Sequence, residues 1–261
     1  MKGLKKHSHQ DREKVIQELI PLIKKKFGDN LVALAADASY ARGEDFDYSD
    51  LELFAFVKKM PEGKSLEGMS RIRDGMLIEL VWTTRETYLA KVKEVTAEWY
   101  IAGSDMLLPI INEEFIAELN TYTVENLKEK CLKEAVRFWP KVQESTAKVL
   151  NAVTRENRDG LPLLLFYLLE HMLAELSFLN QTPYITMVKF IPQARSFPVK
   201  PARFDEFLDL IVSGGYTDLL LLKELSEEVF GGFEDIFDEL GVEIYHTSID
   251  PADNLDNFSK P

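Results

Sequence analysis

Asp50 and Glu52 stand two residues apart at the head of an apolar run, Leu53-Phe54-Ala55-Phe56-Val57. If that run is a strand, its period of two turns both carboxylates to one face. Adjacent carboxylates repel unless a cation lies between them. A hard cation such as Mg²⁺ takes oxygen ligands, with substrate phosphates completing its shell. Glu79 is a third acid, alone within Leu77-Ile78-Glu79-Leu80-Val81-Trp82. A charge in such a run is costly to bury without a partner. Three converging acids could hold the metal ions that clamp the entering and leaving oxygens of a phosphoryl or nucleotidyl transfer. An edge-strand glutamate facing water is the plain alternative for Glu79.

The elements that must position these acids are legible as periodicity. Gln10 to Phe27 has apolar residues at Val15, Ile16, Leu19, Ile20, Ile23 and Phe27, which predicts an amphipathic helix capped by Ser8 or Asp11 and ended by Gly28. Leu31–Ala36, about Asp50–Val57 and Leu77–Trp82 read as strands, Pro61–Lys64 as a turn, and Thr84–Ala97 as a helix. Beyond Glu125 the pattern is helical. Leu127–Ala152 is expected to break at Pro140, Leu163–Leu179 is apolar almost all round, and Phe204–Val212 and Leu219–Leu240 are separated by Gly214-Gly215. The expected architecture is α+β, with a mixed α/β first domain (1–122) and a helical second domain (123–261). His7 and His9 read as part of a mobile leader, His171 as a hydrogen-bonded core histidine, and the polar stretch after Tyr245 as loosely ordered.

Ser39 followed by Ser49-Asp50-Leu51-Glu52 resembles the nucleotidyltransferase signature, in which a Gly-Ser pair and a spacer precede Ser-Asp-x-(Asp/Glu). The chain resembles most the kanamycin (aminoglycoside) nucleotidyltransferase family, over most of its length. The resemblance implies a small mixed-sheet nucleotidyltransferase domain followed by a helical bundle. It implies Mg²⁺ on Asp50, Glu52 and Glu79. Ser39, Arg42, Ser49 and Lys148 would hold the triphosphate of ATP or another NTP. Ser39 would do so through its hydroxyl and N–H, and Arg42 through its forked guanidinium; the plain alternative for Arg42 is a loop pair with Glu44 or Asp45. Glu144, in Glu144-Ser145-Thr146-Ala147-Lys148, falls where the family carries its general base. By spacing alone, Glu144 and Lys148 are also an ordinary i, i+4 surface pair.

The resemblance further implies an aminoglycoside acceptor, a role in antibiotic resistance, and a homodimer. A lincosamide or a protein acceptor, and a catalytically weakened binding or regulatory module, are the alternatives. Ala38 motivates the last of these, because it stands where the family has Gly. If its φ is positive, the Cβ costs roughly 1 kcal/mol or more.

The net charge of −13 over 261 residues argues against a nucleic-acid backbone as partner, since phosphate binding needs a basic face. It suits a cationic substrate and, more simply, solubility. Cys131 is the single cysteine, so no intrachain disulfide forms and a reducing compartment fits. The first residues are basic without an apolar core, and the run Leu161–Leu169 is too short to span a bilayer, so a cytoplasmic location is expected.

Overall fold

The computed structural model describes residues 3–102 and 106–245; the polar tail expected after Tyr245 lies outside them. The described residues divide into two compact units, one of residues 3–94 and 106–125, the other of 95–102 and 126–245.

In the first unit, α1 (His9–Phe27) leads into β1 (Leu31–Ala36), the single turn α2 (Ala38–Ala41), β2 (Leu51–Val57), β3 (Leu66–Arg73), β4 (Met76–Thr83) and α3 (Arg85–Val92). The short α4 (Trp99–Ala102) belongs to the second unit, and the chain returns with β5 (Leu108–Ile111) and α5 (Glu113–Leu119). The five-stranded sheet runs β3-β4-β2-β1-β5. Only β2 and β4 pair in parallel; the other neighbours are antiparallel. Apolar side chains of β1 and β2 are buried on both faces, with Ile16 and Ile23 of α1 on one side and Ile116 and Leu119 of α5 on the other, while β4 buries Met76, Ile78, Leu80 and Trp82 on the α1 side. That double burial is why β1 and β2 read as near-continuous apolar runs.

α1 starts at His9, because Ser8 and Asp11 form a reciprocal cap. The mobile leader expected for His7 and His9 is therefore corrected: the His7 N–H donates to the Asp47 carbonyl at 2.8 Å, and His9 stacks on Tyr40 at 4.4 Å.

The second unit is helical. α6 (Leu127–Thr154) packs on α7 (Leu161–Leu179), with α8 (Phe190–Ser196), α9 (Phe204–Val212) and α10 (Leu219–Glu239) completing it. Pro140 does not break α6. Its missing N–H removes one ladder bond, and the buried Phe138, Trp139 and Val142 hold the helix across the gap. Trp139 stacks on Phe230 of α10 at 4.9 Å. α7 is long and apolar enough to cross a membrane by length and composition, yet 56% of that stretch is buried within the fold.

Glu175 of α7 is fully buried, and neither carboxyl oxygen has a hydrogen-bond partner among the described residues. Burial, and the Glu134 carboxylate nearby, push its pKa well above the usual carboxylate range. The folded state thus holds a proton that the unfolded chain releases above its pKa of about 4.3. Stability from this group therefore falls as pH rises from there toward the folded value. Glu175→Met, which removes the orphaned carboxyl, is expected to stabilise the protein by about 1–3 kcal/mol at pH 8 and by less at pH 5. Urea unfolding of both chains at the two pH values checks this.

Candidate active site

Asp50 sits just before β2, and Glu52 is the second residue of that strand. In the parallel pairing of β2 with β4, Glu52 lies opposite Glu79. Paired residues of neighbouring strands point to the same face, so register alone brings the third acid to the first two. One carboxylate oxygen from each of Asp50, Glu52 and Glu79 lies within 4.8 Å of the others, and all three residues are half-buried. A cation with ligands at about 2.1 Å separates its ligand oxygens by about 3–4 Å. Small side-chain rotations close the remaining gap, so this all-oxygen set fits a hard divalent ion such as Mg²⁺.

Glu79 is also held from outside the cluster. Across the antiparallel β3–β4 pair, Ser70 faces Glu79 and its hydroxyl donates to a Glu79 carboxylate oxygen at 2.6 Å. Such hydrogen bonds fix the orientation of a ligating carboxylate. Sequence reasoning missed Ser70 because β3 is polar and exposed, and carries no apolar alternation of its own.

The loop before Asp50 is fixed by Arg12, a fully buried residue of α1. Its guanidinium donates to the Asp45 carboxylate at 3.0 Å and to the carbonyls of His7 (2.9 Å), Phe46 (2.8 Å) and Ser49 (3.2 Å, from Nε). The Asp45 side chain is itself almost fully buried, and His9 Nδ1 contacts its other oxygen at 2.6 Å. Arg12 could have been found by extending the apolar stripe of α1 backward: it stands four residues before Ile16, on the buried face.

Ser49 is part of this loop. Its hydroxyl accepts from the Phe46 N–H at 3.0 Å, and its N–H donates to the Phe46 carbonyl at 3.0 Å. Ser39 lies in α2, and its hydroxyl has no hydrogen bond among the described residues. Arg42 caps that turn, with Nε 3.2 Å from a Glu44 carboxylate oxygen. Asp37 ends the connection from β1: its N–H donates to the Glu52 carbonyl at 3.0 Å, and its carboxylate accepts from the Ala38 N–H at 2.7 Å. Burial raises the Asp37 pKa, against the pull of the Ala38 N–H and the Arg42 charge.

Ala38 has φ +52°, so the residue standing where the resembling family has Gly does lie in the left-handed region. Its methyl group carries the cost expected for that case. Ala38→Gly is expected to raise the stability of the protein by about 1 kcal/mol, a rise of roughly 2–4 °C in Tm, read by calorimetry without nucleotide. An unchanged or lower Tm would mean that the loop relaxes around the methyl group.

Glu144 and Lys148 lie on α6 in the second unit and pair at 2.8 Å. The hydrogen bond and charge of Lys148 hold the Glu144 pKa below the usual carboxylate range. Both line a cavity of about 400 Å³ between α6 and α7, together with Ser145, Leu163, Tyr167 and His171. Within each unit, therefore, the expected residues cluster: Asp50, Glu52 and Glu79 in one, Glu144 and Lys148 in the other.

Comparison with known proteins bears on both units. The family model of the KNTase C-terminal domain matches residues 140–243. A protein of Methanocaldococcus jannaschii, provisionally named a protein adenylyltransferase, is 31% identical over 139 residues, which span 53% of this chain and 83% of that one. The crystal structure of a nucleotidyltransferase-like protein from Exiguobacterium sibiricum superimposes with a TM-score of 0.50 at 10% identity, over 86% of this chain and 75% of that one. The last is a likeness of fold.

Proposed function

The chain belongs to the nucleotidyltransferase family, and on that premise we propose that it transfers a nucleoside monophosphate from an NTP, ATP first, to a hydroxyl group. The observation that carries this reading is the convergence of Asp50, Glu52 and Glu79 on one point. Bound there, Mg²⁺ would neutralise the triphosphate and align it for in-line displacement. Ser39 in α2, Arg42 at its end and Ser49 in the loop before Asp50 would contact the phosphates. Arg42 would exchange part of its interaction with Glu44 for phosphate oxygens. The acceptor oxygen forms a bond to the α-phosphorus, the bond from that phosphorus to its bridging oxygen breaks, and pyrophosphate leaves. The hydroxyl proton passes to the protein. For Glu144 and Lys148, which lie in the second unit, the resemblance implies proton acceptance and phosphate contact.

For the acceptor, an aminoglycoside is the first reading, supported by the match to the KNTase C-terminal domain; resistance and a homodimer go with it. A protein hydroxyl is the second. It is favoured by the relative's name and by the cavity beside Glu144, where Leu163, Leu164 and Tyr167 form the wall and Glu144, beside Lys148, is the one acid among the described residues that line it. A polycationic aminosugar calls for several acids; an aromatic or aliphatic hydroxyl does not. The test is pyrophosphate release from Mg-ATP with a panel of aminoglycosides, beside transfer of labelled AMP to proteins of a cell extract. Release with one aminoglycoside establishes the first acceptor, and labelling of a discrete protein the second. Neither signal, with no thermal stabilisation by Mg-ATP, would favour the non-catalytic module.

A further inference from the structure

Resting on the nucleotidyl-transfer reading, we propose that Ser70 is a positioning residue that selects the metal: its hydroxyl holds Glu79 as a one-oxygen ligand, so that the three acids take a small octahedral cation, Mg²⁺ or Mn²⁺, in preference to Ca²⁺.

Register sets the pair. β4 lies between β2 and β3, so Glu79 has Glu52 as its neighbour on one side and Ser70 on the other. Directly opposed residues of an antiparallel pair have Cβ atoms about 4.5–5.5 Å apart, within reach of a serine hydroxyl and a carboxylate. The Ser70 hydroxyl donates to Glu79 Oε1 at 2.6 Å, the length of a charge-assisted O–H···O⁻ bond. By alternation, the residues of β3 that share this face are Leu66, Gly68, Ser70 and Ile72. Leu66, Gly68 and Ile72 have no polar side chain. The hydroxyl of this row thus stands at the register position of the acid. Ser70 is itself exposed on an edge strand, so its side chain contributes no core packing that would account for it.

Glu79 Oε2 makes no hydrogen bond among the described residues. With Oε1 engaged by Ser70, Glu79 has one oxygen to offer a cation held among Asp50, Glu52 and Glu79. A carboxylate can bind a metal through one oxygen or through both. Ca²⁺ accepts both, in a flexible shell of about six to eight oxygens at about 2.3–2.6 Å. Mg²⁺ demands near-ideal octahedral geometry at about 2.0–2.1 Å, and the two oxygens of one carboxylate lie too close together to fill two of its corners. A glutamate free to turn would offer both oxygens and favour the larger ion. It would also lose rotamer freedom on binding either ion. A hydrogen bond from outside the ligand set removes the two-oxygen mode and fixes the rotamer beforehand, as partners of ligating carboxylates do in metal sites generally.

The test uses the full chain freed of metal by chelation, with Mn²⁺ as the probe. Electron paramagnetic resonance follows Mn²⁺ binding, and Mg²⁺ and Ca²⁺ are measured by competition with it. Ser70→Ala should raise the Kd for Mn²⁺ by about 10–100-fold and that for Mg²⁺ by a similar factor, while the Kd for Ca²⁺ stays near the parent's. Ser70→Thr keeps the hydroxyl and suits a strand, and it should restore the parent's values. The metal-free Ala variant should melt with the parent. A merely structural role would not shift one cation against another. Unchanged Mn²⁺ affinity in the Ala variant, equal losses for all three cations, or a Thr variant that behaves like the Ala variant overturns the proposal. A parent that binds no Mn²⁺, or binds it no better than Asp50→Asn does, overturns instead the reading of the three acids on which it rests.

Discussion

Asp50→Asn is expected to lower kcat for nucleotidyl transfer by at least about 10³-fold, which is about 4 kcal/mol at 1.36 kcal/mol per decade. The argument is electrostatic. One oxygen from each of three carboxylates lies within 4.8 Å of the others, and removing one charge takes away a third of the negative field that would hold a divalent ion. The same substitution removes repulsion when no cation is present. The melting temperature of the metal-free variant should therefore exceed that of the metal-free parent. With Mg-ATP at about 100 times its Kd, the parent should gain about 2.7 kcal/mol and the variant almost nothing. The order of the two melting temperatures thus reverses on adding Mg-ATP. Scanning calorimetry with and without Mg-ATP reads both halves, and parallel shifts in the two proteins would mean that nucleotide binds without Asp50.

Arg12→Met should have the largest effect on stability, a loss of about 3–5 kcal/mol. Arg12 is fully buried, and its partner Asp45 is nearly so. Removing the guanidinium leaves Asp45 with His9 as its remaining side-chain partner and takes a donor from the carbonyls of His7, Phe46 and Ser49. That loss corresponds to a fall of roughly 10 °C in Tm for a protein of this size. Arg12→Lys should recover only part of it, because a single ammonium cannot reproduce the fork. Because the 45–49 loop delivers Asp50, Mg-ATP should stabilise the Met variant less than the parent even well below its Tm. Thermal unfolding of the three proteins, each with and without Mg-ATP, checks both statements; a Met variant that melts with the parent would mean the loop holds without its clamp.

Much of the molecule was legible because its physics is local. The apolar runs of β1, β2 and β4 and the periodicity of α1, α7, α9 and α10 carry their own signal. Glu52 and Glu79 are legible as exceptions to apolar runs, and the parallel register sets them opposite each other, where a shared cation would relieve the repulsion of two facing carboxylates. What stayed hidden depends on tertiary partners. β3 is polar because it is an edge strand, and β5 is four residues long and contains Pro109. Thr84–Ala97 was too long a helix, since α3 ends at Val92 and Val95 already packs in the second unit. Pro140 misled because proline cost was weighed without the burial of Phe138, Trp139 and Val142 around it. Arg12 resembles any charged residue near a helix start, and its acceptors besides Asp45 are carbonyls, which sequence does not distinguish. The apolar neighbours of His171 suggest a hydrogen-bonded core histidine, and its ring is half-buried with Nδ1 on the Lys141 carbonyl. Its place in a cavity with Glu144 requires the packing of α7 on α6.

The most direct test of the central claim is a crystal of the protein grown with Mn²⁺ and a non-hydrolysable ATP analogue, with data collected at the manganese absorption edge. The account predicts an anomalous peak within about 2.0–2.4 Å of one oxygen from each of Asp50, Glu52 and Glu79, with the analogue's phosphates completing the shell and lying against Ser39. Nucleotide bound away from these acids, or no manganese at the three carboxylates under saturating analogue, would contradict it.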